Sequence, residues 1–359
     1  MIGSFTFENL PCRVVFGSGT LSAAPEELQR LGAKRALVLT TPQQEAQGRD
    51  LGSALGPPFA GIFSNATMHT PVEVTELALA AMKDCDADCI VSLGGGSTTG
   101  LGKALALRTG VNQLCIPTTY AGSEMTPILG ETRDGLKTTV RTNDVLPETV
   151  IYDVDLTLSL PPALAATSGI NAIAHAVEAL YARDTNPVIS LMAEEGIRAL
   201  ARALPAIVAK PDDREARSDA LYGAWLCGVC LGTVGMALHH KLCHTLGGTF
   251  DLPHAETHTI VLPHALAYNA PAVPEAASRI ARAIGSPDPA RGLYDLARRL
   301  NAKLALRDIG MPEIGIDRAA DLAVTNAYWN PQPIERNAIR ALIERAWSGA
   351  APVAPPVAA

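Results

Sequence analysis

The stretch CIVSLGGGSTTG, residues 89–100, constrains most strongly how this chain folds. Its apolar part, Ile90–Leu93, predicts a short buried strand. Three glycines and three hydroxyl-bearing residues follow, and a helical pattern begins near Lys103. A strand, a glycine turn and a helix together suit a phosphate, because glycine lets the backbone approach an anion and a helix N-terminus offers free N–H groups. A tight turn without a ligand is the alternative, since the stretch matches neither GxGxxG nor the Walker loop.

The first half of the chain alternates strands and helices. Strands are predicted at Arg13–Phe16, Arg35–Thr40 and Gln113–Ile116, and helices at Pro25–Leu31 and Glu73–Lys83. This βαβ order is typical of an open, mostly parallel sheet, in which ligands bind beyond the carboxyl ends of the strands. The segments just past the predicted strands are Thr40–Pro42, Gly94–Thr98 and Thr118–Glu124.

The second half is predicted to be all-helical. Pro161 and Pro162 mark the boundary. Patterns rich in Ala and Leu recur at helical spacing over Ala165–Ala182, Pro187–Val208, Asp213–Thr233, Val234–Gly248, Glu275–Ile284, Pro289–Leu300 and Ile334–Ala346. We therefore expect an α/β domain over residues 1–162 and an all-α domain over 163–350. Residues 351–359, rich in Ala and Pro, are expected to form a flexible tail.

Charge and cysteine usage narrow the class of protein. The chain has 36 acidic against 29 basic residues, which disfavours a general nucleic-acid or membrane-surface binder. No signal-peptide pattern and no apolar run of about 18 residues is found. Cys227 and Cys230 have CxxC spacing without a second pair, so a buried core position is favoured over a metal or redox role. We expect a cytoplasmic protein that binds no membrane and no nucleic acid.

Histidines concentrate in the helical half. Five of the eight lie between residues 239 and 258. His240 and His244 are four residues apart, as are Asn171 and His175, so each pair shares one helix face. With His254, these side chains predict a functional cluster. Histidine ligates metals, donates to developing oxyanions and transfers protons, and the spacing alone leaves these roles open.

The order of these motifs resembles the iron-containing alcohol dehydrogenase superfamily. It rests on GGGS at 94–97, PTTYAGSE at 117–124, the Asn171 and His175 pair, and the His240, His244 and His254 set. The longer stretches 117–132, 136–153 and 168–182 resemble its maleylacetate reductase branch more narrowly. The resemblance implies a dehydroquinate synthase-like architecture, with a dinucleotide-binding domain, a helical catalytic domain, an active site in the cleft between them, and a homodimer.

The resemblance also implies an activity, in which NADH or NADPH reduces the C=C bond of maleylacetate. The product is 3-oxoadipate, and the reaction belongs to the degradation of aromatic compounds. The substrate is then a small dicarboxylate. Two other functions are kept open: a metal-dependent alcohol or polyol dehydrogenase of the same fold, and a non-catalytic nucleotide-binding regulator.

Three positions depart from the metal-dependent members of that superfamily. Asn171 stands where they carry an aspartate ligand, so the set loses its one anionic group. Their PHG motif is replaced by Pro253–Ala255. Thr41 stands where an aspartate often binds the ribose 2′-hydroxyl, so both NADH and NADPH are expected to serve. We expect no metal; if one is present, the resemblance assigns it to His175, His240 and His254.

Site roles follow from the resemblance. His240 and His254 are expected to face the oxyanion, with His175, His244 and Asn171 beside them. The expected cofactor-binding residues are Gly94, Gly95, Gly96, Ser97, Thr118, Thr119, Thr41 and Lys137. The expected substrate-binding residues are Ser123, Tyr120, Arg141 and Lys241.

Overall fold

The computed structural model describes residues 4–133, 136–325 and 328–354. The chain divides into two compact units. One comprises residues 9–160, and the other comprises residues 161–354 together with residues 4–8. Residues 4–8 therefore group with the second unit, whereas the sequence placed them in the first.

The first unit is built on a six-stranded sheet in the order β1-β8-β5-β4-β2-β3. Every neighbouring pair in this sheet is parallel, which confirms the predicted open parallel sheet. A separate antiparallel pair consists of β6 and β7. The strands are β1 (Arg13–Gly17), β2 (Ala36–Leu39), β3 (Phe59–Phe63), β4 (Cys89–Gly94), β5 (Asn112–Pro117), β6 (Ile128–Arg133), β7 (Leu136–Arg141) and β8 (Thr149–Asp153). The longer helices are α1 (Ala24–Arg30), α2 (Glu45–Leu55), α3 (Val72–Asp84) and α4 (Gly96–Thr109).

Helix α2 and strand β3 were not predicted, and their packing explains why. Two glycines lie inside α2, and glycine weakens a helical pattern. They are needed for close packing, because a Cβ at Gly48 would lie 2.6 Å from Thr40 Cγ2 and one at Gly52 would lie 2.5 Å from the Phe59 ring. Strand β3 lies at the sheet edge and is only partly buried, so its apolar signal is weak.

The second unit consists of helices and short 3₁₀ turns, with no strand among its described residues, as predicted. Its helices are α5 (Pro162–Leu180), α6 (Pro187–Ala209), α7 (Arg214–Thr233), α8 (Leu238–Phe250), α9 (His254–Asn269), α10 (Pro274–Ile284), α11 (Pro289–Arg299), α12 (Gly315–Val324) and α13 (Arg336–Ser348). Helix α9 was not predicted. Its residues from Thr257 to Asn269 are all buried, so the helix shows no polar face and no amphipathic period.

One apolar core joins α8, α9, α12 and α13, with Leu242, Leu246, Val261 and Ile343 at its centre. Val353 and Ala354 line a cavity of about 180 Å³ beside α9 and α13. Residues 355–359 lie outside the described part of the chain, so the flexible tail stays a prediction.

All seven cysteines are free, and Cys227 and Cys230 are fully buried, as expected for core positions. In the described ranges, no single helix is long and apolar enough to cross a membrane, although α7 and α8, bent by 93°, pass that test together by length and composition alone.

Candidate active site

The turn between β4 and α4 forms a backbone cradle that suits a phosphate. At Gly94 φ is +150°, and a Cβ there would lie 2.7 Å from both Gln44 Oε1 and Thr98 Oγ1. Gly96 is exposed. A Cβ at this position would lie 4.0 Å from Ala121 Cβ, the nearest atom outside the adjoining residues and the backbone of α4. Helix α4 begins with no side-chain cap and no acidic residue in its first turn. Its N-terminal N–H groups and positive dipole end therefore fit the pyrophosphate of a dinucleotide.

Three strand ends meet at this cradle. The Thr118 N–H donates to the Gly94 carbonyl at 2.9 Å. Gln44 Nε2 donates to Thr118 Oγ1 at 3.0 Å, which ties the segment after β2 to the segment after β5. Thr41 immediately precedes the 3₁₀ turn that carries Gln44. A Cβ at Gly95 would lie 3.0 Å from Thr119 Cγ2. The predicted cofactor-binding residues after β2, β4 and β5 thus lie together.

Lys103 fixes the segment that follows β5, a role that sequence reasoning missed. Its ammonium group is fully buried and donates to the carbonyls of Ser123, Thr126 and Ile128 at 2.6, 2.7 and 2.9 Å. Burial lowers the pKa of Lys103 to about 8. The lysine thereby holds the loop that carries Thr118, Thr119 and Ser123. In the sequence, the signal for this role was a lysine inside an otherwise apolar helical pattern, where a charged residue is unusual unless it has partners.

The other predicted binding residues differ in how far their side chains are exposed. Tyr120 is fully buried, Ser123 is half-buried, and Arg141 is exposed at the end of β7. Lys137 lies on β7, but its side chain is outside the described part of the chain. Lys241 Nζ lies 5.5 Å from the centre of the Tyr328 ring, a cation–π distance.

In the helical unit, the buried carboxylate of Glu178 organises the candidate active site. Helix α8 begins after Ala237, which has no side chain that could cap a helix. Glu178, on α5, accepts hydrogen bonds instead from the N–H groups of Ala237 and His239, each at 2.8 Å. A carboxylate at this end also complements the helix dipole. Glu178 therefore sets the start and the orientation of α8.

Glu178 also orients the ring of His240. Its Oε2 lies 2.8 Å from His240 Nδ1. A carboxylate oxygen accepts a hydrogen bond, so Nδ1 carries the hydrogen. Among the residues that the structure describes, the buried Nε2 of His240 then has no hydrogen-bond partner. This nitrogen is left available for chemistry.

The remaining histidines surround His240. The ring centres of His175 and His258 lie 5.3 and 5.1 Å from that of His240, and His244 lies 6.4 Å away. The His254 ring lies 4.3 Å from that of His258. His244 and His254 are exposed, whereas the other three are buried. We call these residues, with His239, the histidine cluster.

Burial keeps the inner histidines neutral. It is the main reason why the pKa values of His175, His239 and His258 lie well below their ordinary value, and neighbouring histidines lower them further. A neutral imidazole has one N–H donor and one bare nitrogen. The buried Nδ1 of His175 and Oδ1 of Asn171 have no hydrogen-bond partner within the described part of the chain. The cluster thus presents polar atoms able to hydrogen-bond a ligand.

The residues assigned to a metal by resemblance do not fit that role well. Within the described residues, one group of three His, Cys or acidic side chains has ligand atoms mutually within 4.8 Å, and it is His239, Cys243 and His258. His175, His240 and His254 do not converge in this way. Asn171 adds a neutral oxygen and no charge. These residues therefore do not form a metal site of the kind that the resemblance implies.

Two signals pointed to the residues that the sequence analysis missed. Glu178 lies three residues after His175, on the same helix, and the segment before α8 lacks a capping residue. His239 and His258 stood inside the histidine-rich stretch, but nothing in their spacing distinguished them from core residues.

The fold and the site define a class that the comparisons confirm. Residues 11–154 match the family model for iron-containing alcohol dehydrogenase, and residues 165–347 match the C-terminal model of the Fe-containing alcohol dehydrogenase family. The chain belongs to the iron-containing alcohol dehydrogenase family.

The relatives are more specific. A maleylacetate reductase from a Rhizobium species is 56% identical over 97% of this chain and 99% of its own. The crystal structure of a maleylacetate reductase from Agrobacterium tumefaciens superposes with a TM-score of 0.95 at 56% identity, covering 98% of this chain and 100% of that one. A structure titled putative alcohol dehydrogenase, from Ralstonia eutropha, has a TM-score of 0.96 at 60% identity and covers 98% and 99%.

Proposed function

We propose that this chain reduces the C=C bond of maleylacetate to give 3-oxoadipate, with NADH or NADPH as the reductant. The observation that carries the proposal is the 56% identity to a maleylacetate reductase over nearly the whole length of both chains. The histidine cluster supplies the polar groups that the chemistry of this reaction requires.

The bond to be reduced is conjugated to a ketone. Bound NAD(P)H supplies a hydride, which adds to the alkene carbon beta to the ketone. Negative charge then develops on the ketone oxygen, and the resulting enolate takes a proton at the carbon next to the ketone. The residues of the site must therefore stabilise an oxyanion and deliver one proton.

The histidines supply both functions. His240 and His254 face the developing oxyanion, and His175, His244 and Asn171 lie beside them. Glu178 is a positioning residue: its contact with Nδ1 at 2.8 Å directs Nε2 of His240 away from the carboxylate. The exposed edge at His244 and His254 gives the substrate access to the cluster.

The α/β unit holds the cofactor. Gly94, Gly95, Gly96 and Ser97 bind the pyrophosphate at the N-terminus of α4, and Thr118, Thr119 and Lys137 extend this surface. Thr41 stands near the adenosine ribose and carries no charge, so it does not repel a 2′-phosphate. Arg141 and Lys241 neutralise the two substrate carboxylates, with Ser123 and Tyr120 as hydroxyl donors.

The enzyme works without a metal in this proposal. Hydrogen-bond donors are sufficient to stabilise an enolate, and basic side chains anchor the carboxylates. By resemblance, the active form is a cytoplasmic homodimer.

The test is oxidation of NADH by the purified protein in the presence of maleylacetate. We expect 3-oxoadipate by mass spectrometry. With deuterium at the transferred position of NADH, one deuterium should appear at the carbon beta to the ketone. Activity on simple alcohols or polyols instead would favour the dehydrogenase alternative. Cofactor binding with no oxidation of any of these substrates would favour the non-catalytic regulator.

A further inference from the structure

A buried pair of histidines lies behind the residues that the proposed function uses. His239 Nε2 lies 2.9 Å from His258 Nδ1, and both side chains are fully buried. The Sγ atom of Cys243 lies 3.7 Å from His239 Nε2 and 3.9 Å from its Nδ1. These three residues form a chain of contacts that ends at His258.

The hydrogens along this chain can point in either of two directions, because the thiol lies within reach of both ring nitrogens of His239. Burial raises the pKa of Cys243 well above its ordinary value, so it stays a thiol, which is a donor and only a weak acceptor. The His239 ring is the partner that the described structure gives it. If the S–H donates to a bare Nδ1 of His239, then Nε2 of His239 carries the hydrogen and donates to Nδ1 of His258.

The second nitrogen of His258 then carries the hydrogen. That atom, Nε2, is buried, and no residue in the described ranges hydrogen-bonds to it. The His258 ring lies 5.1 Å from the His240 ring and 4.3 Å from the His254 ring. In the opposite tautomer the thiol would donate to Nε2 of His239 instead, and His258 would turn a bare nitrogen toward the ring of His240, whose own Nε2 is bare, so that two lone pairs would face each other.

We infer that His258 is a further oxyanion donor, with an Nε2–H held toward the histidine cluster by His239 and Cys243. The inference deepens the proposed function and rests on it for the identity of the oxyanion. His239 and Cys243 act through His258 and are positioning residues. His240 and His258 then have complementary roles, one presenting an acceptor nitrogen and the other a fixed donor.

The first experiment measures the tautomer directly and needs no substrate. NMR of the full chain, labelled with ¹⁵N in the histidine rings, reports which nitrogen of each ring carries the hydrogen. His258→Asn identifies the His258 signals by their loss. We expect Nε2–H on His258 at neutral pH. A hydrogen on Nδ1 would overturn the inference even if the enzyme reduces maleylacetate.

The second experiment measures turnover in two matched variants. His258→Asn keeps a polar group near Nδ1 and removes Nε2, whereas His258→Gln places an amide near Nε2. With maleylacetate and NADH, we expect His258→Asn to lower kcat by about 100-fold, the usual effect of losing an oxyanion donor. His258→Gln should restore at least about tenfold of that loss, and the KM for NADH should not change.

A buried histidine on the same helix serves as the control. His264→Asn removes a side chain whose Nε2 is also buried and unpartnered but which lies outside the cluster. We expect its kcat to stay within about twofold of the wild type. Equal loss in the Asn and Gln variants at His258, with unfolding midpoints like that of the control, would overturn the inference. Stoichiometric zinc that is lost in Cys243→Ala would also overturn it, because the three residues would then be metal ligands.

Discussion

Glu178 combines two roles in one carboxylate. It replaces the missing cap of α8 by accepting from the N–H groups of Ala237 and His239, and it orients His240 through Nδ1. The stability of the start of α8 and the orientation of the His240 ring therefore depend on the same carboxylate. A change that preserves shape but removes the charge should affect both.

Glu178→Gln tests this coupling. The amide would turn an N–H group toward donors that now meet a carboxylate, so we expect about 2–3 kcal/mol lower stability in denaturant unfolding. We also expect kcat with maleylacetate to fall at least about tenfold, because His240 loses its orienting partner. The control is Glu195→Gln, where the carboxylate pairs with Arg198 at the surface and the expected loss is below about 1 kcal/mol. Wild-type kcat in Glu178→Gln would contradict the assigned role.

Substitutions at Thr41 test what sets the preference between NADH and NADPH. Thr41→Asp should raise the KM for NADPH relative to that for NADH by at least about tenfold, because the new carboxylate repels a 2′-phosphate. Thr41→Asn has nearly the same size without the charge and should leave the ratio within about threefold. A wild type that already rejects NADPH strongly would show that another residue sets the preference.

At the level of elements, the β4–α4 turn allows a test of what its glycines do. They either make room for a bound ligand or only allow a tight turn. Gly96→Ala adds a methyl group, and outside the adjoining residues and the backbone of α4 the nearest atom to it is Ala121 Cβ at 4.0 Å, so the turn itself should tolerate the change. If a pyrophosphate occupies that space, we expect the KM for NADH to rise at least about tenfold with an unchanged unfolding midpoint. Gly248→Ala, also in open surroundings on α8, is the control; it should leave the KM for NADH unchanged and at most raise the unfolding midpoint slightly, because alanine favours a helix. An unchanged KM in Gly96→Ala would favour a turn without a ligand.

Helix α9 carries a prediction about pH and stability. His264 is buried beside a cavity that Tyr268 and Arg345 also line. Burial, with a smaller contribution from Arg345, lowers its pKa to about 4. In the unfolded chain the pKa is about 6.5, so the unfolded state binds more protons between these values. The contribution of neutral His264 to the free energy of unfolding is therefore fully present above about pH 6.5, and it is lost as the pH falls toward 4.

At pH 5 the loss from His264 should be about 2 kcal/mol relative to pH 7.5. His264→Asn should therefore lose less unfolding free energy than the wild type over this interval, measured by denaturant unfolding. His69→Asn removes an exposed histidine and should follow the wild type. Equal pH dependence in His264→Asn and wild type would contradict the burial argument.

The same elements show what the sequence could and could not predict. Strand β4 and helices α5 to α7 were predicted because an apolar run or an amphipathic period marks them. Helix α9 escaped prediction because burial on every side erases that period. Glu178 escaped because its partners lie 59 and 61 residues further along the chain, and no local pattern encodes such a contact.

For the molecule as a whole, we expect hydrogen-bonding histidines to support reduction of an enone without a metal. The family name refers to iron, but this chain has Asn171 in place of an anionic ligand, and its three inherited histidines do not converge within 4.8 Å in the described structure. We therefore expect this protein to differ in metal dependence from the metal-dependent alcohol dehydrogenases of its family.

The most direct measurement is the rate of NADH oxidation with maleylacetate after exhaustive chelation, with elemental analysis of the same sample. We expect turnover to be retained when iron and zinc are far below one atom per chain. In that metal-free sample, His240→Ala and His254→Ala should still lower kcat by about 100-fold, because the site loses groups that stabilise the oxyanion and exchange the proton. Loss of activity on chelation that only Fe²⁺ or Zn²⁺ restores would contradict metal-free reduction and make His175, His240 and His254 metal ligands.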